Sequence, residues 1–162
     1  MSSPFHTACY ANNLEKVQNC AIPSQYELNK MFVYMCSRGY LEIAKYLYEK
    51  GADITCYNNQ PFISACCRGH FNVAQWLYEL GINVMCRDNE VFWKACSSGN
   101  ISLAKWLIEI HYNKCSFIHF DNYKYFKLEI KNLLIDTNLV HPSQLEMPDL
   151  EYYLHRKRCL HK

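Results

Sequence analysis

A chain of 162 residues with a formal net charge of +2 suits one compact domain or a short repeat array. Half of it is hydrophobic and 15% is aromatic, too apolar for a disordered chain, and the near-neutral balance supplies no global field for nucleic acid or membrane. No apolar run approaches the ~20 residues of a membrane-spanning helix, and Met1-Ser2-Ser3-Pro4 lacks the basic-then-apolar opening of a signal peptide, so a soluble, cytoplasmic protein is expected.

In chain order, four blocks share one pattern: residues 5–20, 32–51, 62–81 and 92–111. Gly39, Gly69 and Gly99 stand 30 residues apart and fix the alignment; Asn12 takes the glycine place in the first block, 27 residues before Gly39. Each block reads as two short helices. Phe62, Ala65 and Cys66 fall at i, i+3, i+4, one helical face. Gly69 then breaks the helix, since glycine takes the left-handed conformation of a tight turn. Val73, Ala74 and Leu77 line a second helix that Gly81 ends, and residues 82–89, like 52–59 one block earlier, read as turn or loop.

After residue 115 the period fails. Residues 121–135 still predict a helix, with Asp121 as N-cap and Tyr123, Phe126, Ile130, Leu133 and Leu134 as an apolar stripe. A second short helix is expected near Pro148, carrying Leu150, Tyr153 and Leu154 inward. A single two-helix unit cannot bury its apolar face alone, so stacked units must share a continuous core, and the last needs a cap. The expected fold is therefore all-α: a helix-turn-helix repeat solenoid over residues 1–115 with a helical C-terminal cap over 116–162. The apolar spacing is not period 2, and no β-rich run alternates with the helices, which argues against sheet architectures.

The ten cysteines follow the repeat rather than a disulfide framework. Cys9, Cys36, Cys66 and Cys96 share one position, Cys56 and Cys86 another, and Cys20 falls where Leu47, Leu77 and Leu107 fall, so cysteine reads as a small buried hydrophobe. No Cys-x-x-Cys pair occurs, and His155, Cys159 and His161 lack a fourth ligand nearby, so no metal and no cofactor is expected. No phosphate loop, His-Glu-x-x-His pair or serine-nucleophile motif suggests an enzyme. Tyr46, Trp76 and Trp106 share a repeat position and read as packing between repeats. The tail Arg156-Lys157-Arg158 reads as a solvated helix end.

These blocks resemble the ankyrin repeat family. Ser3-Pro4-Phe5-His6-Thr7-Ala8 is similar to its Thr-Pro-Leu-His-x-Ala opening, Gln60-Pro61-Phe62-Ile63-Ser64-Ala65 keeps the proline, Gly69-His70 matches the turn, and Lys50-Gly51-Ala52-Asp53-Ile54 matches the closing segment. The resemblance covers about residues 3 to 115. The family period is about 33 residues, so the shorter repeat here implies short fingers between helix pairs. Such shortened repeats, rich in Asn, Tyr and Cys, look like arrays from giant DNA viruses or amoebal genomes. The resemblance implies a hydrogen-bonding role for His6 within the inner turn. It also implies that the chain binds an unidentified partner protein through a concave face made of inner helices and finger tips. By position that face holds Tyr34, Arg38, Arg68 and Lys94 on the inner helices, with Ser37, Ser64 and Ser98, and Tyr57, Asn58, Arg87 and Asp88 at the tips. It would be mildly basic and aromatic, suited to an acidic segment of the partner. The other reading is a ubiquitin-ligase substrate adaptor in which residues 116–162 recruit the ligase.

Overall fold

A computed structural model of the chain describes residues 3–82, 90–110 and 128–137. The described residues contain helices and turns, with no strand. Six helices belong to a first compact unit ending at Val91: α1 (Pro4–Tyr10), α2 (Leu14–Gln18), α3 (Gln25–Arg38), α4 (Leu41–Glu49), α5 (Cys56–Cys67) and α6 (Phe71–Glu79). A second unit, from Phe92, holds most of α7 (Glu90–Ser98), with α8 (Ile101–Ile110) and α9 (Leu128–Asp136).

The helices pair as the period requires. α1 packs on α2, α3 on α4 and α5 on α6, while α3 also joins its inner neighbours α1 and α5, and α2 lies against α4. Phe32 and Phe62 occupy one register of the inner helices and are wholly buried, as are Cys9, Cys36 and Cys66. Leu47 and Leu77 do the same for the outer helices. Burying each such side chain contributes about 1.5–3 kcal/mol, and here the gain recurs at every repeat. In the second unit Phe92, Ala95, Cys96, Leu103 and Leu107 hold the same positions, and α8 packs on α9, whose Ile130 and Leu134 are buried.

The turn between the paired helices needs a left-handed residue. Gly39 supplies it with φ +75° and Gly69 with +74°; Asn12, one of the few other residues that tolerate this region, does so at +49°. Trp76 of α6 packs edge-on against Phe32 at 6.3 Å and Tyr48 at 5.9 Å, so Trp76 does serve packing between repeats.

One local expectation is corrected. α2 stops at Gln18, so Cys20 lies past the helix end rather than in the leucine register; it is half-buried, and its thiol donates to the Lys16 carbonyl. Cys67 is likewise only partly covered. The finger is a turn, as expected, and it runs into the start of α5. Tyr57, Asn58 and Asn59 form one left-handed turn with φ of 51°, 57° and 60°, and the regular helix starts only at Gln60 and Pro61. Pro61 fits there because its missing N–H is one a first helical turn leaves unbonded anyway.

Candidate protein-binding face

Burial of one side of α3 dictates what the other side presents. Leu28, Met31, Phe32, Met35 and Cys36 face the core. Four residues per step along the opposite side leave Tyr26, Lys30, Tyr34 and Arg38 as a stripe, with Tyr26 63% exposed, Lys30 and Arg38 exposed and Tyr34 partly so. On α5 the matching stripe is Gln60, Ser64 and Arg68; Gln60 donates from its amide to the Ser64 hydroxyl at 2.9 Å, and Arg68 is exposed. On α1 the end of the stripe is Tyr10, half exposed, whose ring meets Tyr34 edge to face at 5.0 Å.

Hydrogen bonds between repeats hold these stripes in place. Ser3 caps α1 by accepting from the His6 backbone N–H. The Glu27 carboxylate accepts from His6 Nε2–H at 2.9 Å, and His6 Nδ1 shares a hydrogen bond with the Ser3 hydroxyl at 2.6 Å. The bond to Ser3 is the local role that the resemblance implied, and the bond to Glu27 goes beyond it by tying α1 to α3. Glu27 stands where a capping-box carboxylate would fold back on its own helix, and it reaches the neighbouring repeat instead. One repeat on, His70 Nε2 donates to the Ser37 carbonyl at 3.0 Å, a last-turn carbonyl of α3 that the helix leaves unbonded.

The finger of the second repeat is pinned from below. Asn29 Oδ1 accepts from the Asp53 backbone N–H at 2.9 Å, Gln25 donates to the Gly51 carbonyl at 2.8 Å, and Asp53 takes both the backbone N–H and the hydroxyl of Thr55. Tyr57 leaves this finger 49% exposed. Desolvation first and the Tyr26 phenol second push its hydroxyl above the usual tyrosine range, with Lys30 opposing.

Between the ends of α3 and α5 lies a groove of about 370 Å³ lined by Ser37, Arg38, Tyr40, Arg68 and His70. Its two arginines form no ion pair among the described residues. Tyr34, Arg38, Tyr57, Asn58 and Arg68 therefore all lie at the surface of the first unit, Asn58 at the finger tip beside Tyr57. Lys94 lies in α7 of the second unit, partly exposed. Arg87 and Asp88 lie outside the described residues. So do Cys86, the helix start expected at Asp121, the short helix near Pro148, the His155, Cys159 and His161 cluster, the basic tail, and residues 116–127 and 138–162, on which the adaptor reading rests. Sequence reasoning passed over Tyr26, Lys30 and Tyr10; Lys30 and Tyr26 stand four and eight residues before Tyr34 on α3, and Tyr10 shares the repeat position of Ser37, which was the available signal. Among the described residues no group of three metal-ligating side chains comes together, and no helix is long and apolar enough to cross a membrane.

The family model for ankyrin repeats, in three copies, matches residues 5–88. The chain belongs to the ankyrin repeat family. No curated protein matches it. Its ankyrin repeats carry the glycine turn, the buried phenylalanine register and the His6 tie described above, and ankyrin repeats generally mediate protein–protein interaction.

Proposed function

We propose that this ankyrin array is a binding module that takes a segment of a partner protein on the face formed by its inner helices and fingers. The observation that carries the reading is the stripe Tyr26, Lys30, Tyr34 and Arg38 with Arg68 beside it: tyrosines and arginines that reach solvent together, residue types that dominate binding energies. The two unpaired guanidiniums favour a partner segment that is acidic. Residues 116–162 act as a helical cap on the stack in this reading.

A photo-crosslinking residue tests it. With p-benzoylphenylalanine in place of Tyr34, the full chain should yield a discrete adduct with a protein from cell extract. The same group in place of Gln75, exposed on the outer helix α6, should not. Equal adducts from both positions, or an adduct from Gln75 alone, would overturn the assignment of the inner-helix face.

A further inference from the structure

The inner-helix face carries a two-step arrangement of unlike chemistry. The first step is aromatic: Tyr10 and Tyr34, in edge-to-face contact across α1 and α3, both reach solvent. The second is cationic: Arg38 stands one helical turn further along α3 and shares its groove with Arg68, the residue that caps α5. Of the groove's other polar groups, Ser37 and His70 are already committed. The Ser37 hydroxyl donates to the Tyr34 carbonyl at 2.8 Å and His70 Nε2 donates to the Ser37 carbonyl. The two guanidiniums are left as donors without an acceptor among the described residues.

The spacing of the steps has a counterpart in extended chain. Four residues of helix advance about 6 Å. Alternate residues of an extended segment point the same way and lie about 6.6 Å apart. We infer that the face recognises an extended partner segment in which an apolar side chain sits two positions from a carboxylate, the apolar group over Tyr10 and Tyr34 and the carboxylate between Arg38 and Arg68. This rests on the reading that the inner-helix face binds a partner. A guanidinium fork matches both oxygens of a carboxylate, and two forks facing one groove neutralise it more fully than either alone.

Selection of a random nonapeptide display library on the purified full chain tests the inference. The retained pool should be enriched in Asp or Glu with an apolar or aromatic residue two positions away. For a peptide from that pool, Arg38→Gln and Arg68→Gln should each raise Kd at least fivefold. Changing the peptide's Glu to Gln should do the same and remove most of the arginine effect, because the two changes delete one interaction. Tyr34→Ala should instead couple to the apolar residue. A pool without acidic enrichment, no peptide retained above a scrambled control, or arginine effects that persist in full against the Gln peptide would each overturn the motif. The crosslink from position 34 is independent of that outcome. An adduct there with no acidic motif rejects this inference and leaves the binding face standing, whereas adducts from Gln75 alone remove both.

Discussion

Gly39 and Gly51 both sit at positive φ, +75° and +97°, yet they answer to different constraints. A Cβ added at Gly39 would lie 2.6 Å from His70 Nδ1, and the ring cannot swing aside without losing its bond to the Ser37 carbonyl. At Gly51 an added Cβ meets nothing within 4 Å, leaving only the backbone cost. Urea denaturation should therefore find Gly39→Ala less stable by about 2–3 kcal/mol, the sum of left-handed strain and a displaced hydrogen bond, and Gly51→Ala by only about 1 kcal/mol. Equal losses would mean that His70 moves freely and does not fix the spacing of the second and third repeats. Glycine at position 39 was legible from the period alone. Its contact with His70, 31 positions later, was not, because a repeat pattern shows which residues are equivalent and not which of them touch.

At the scale of the element, the left-handed turn at residues 57–59 is the least comfortable backbone in the described chain. L residues are disfavoured there by roughly 1–2 kcal/mol each, asparagine least among them. Replacing Asn58 by glycine should relieve one such term and raise the unfolding free energy by about 0.5–1 kcal/mol, offset in part by the greater freedom of glycine in the unfolded chain. A loss of stability instead would mean that the Asn58 side chain holds the finger. The helices around the finger were readable from apolar spacing and glycine position: Phe62, Ala65 and Cys66 do form one buried face, and Gly69 does end α5's last turn. The finger was not, since Asp53, Asn29 and Gln25 come together through long-range hydrogen bonds that no local pattern announces. The candidate site was half visible in the same way. Tyr34, Arg38 and Arg68 followed from repeat register, whereas Tyr26 and Lys30 precede the aligned block and were passed over, although the helix itself starts at Gln25.

Across the molecule, the repeated cysteine position makes stability depend on alkalinity. Burial raises the Cys96 thiol to about 12 and lifts that of Cys36 well above its ordinary value, with Cys56 nearby adding to the latter. Burial and then Cys20 raise Cys9 to about 11. A thiol that keeps its proton in the fold and loses it on unfolding stabilises the folded state fully below its unfolded value, near 8.5, and the benefit is lost as pH rises from there toward the folded value. Above about pH 9 the unfolding free energy should fall by about 1.4 kcal/mol per pH unit for each fully buried thiol such as Cys96. Measured between pH 7.5 and 10.5, Cys96→Ala should show a slope smaller by one proton than the wild type. An unchanged slope would place the titration elsewhere.

The same burial has a consequence for how the protein can be handled and how it ages. All seven described cysteines are reduced, and most lie shielded inside the core, so native chains should tolerate air. Unfolding removes the shield at once and returns these buried thiols to a single flexible chain, where intramolecular disulfides form quickly in many wrong pairings. Heating without reductant should be a one-way process, with no second transition on rescanning, while the same scan with a phosphine reductant present should repeat. Fold and redox state then guard one another: loss of the first fixes the second, and the damage outlasts the heat that caused it.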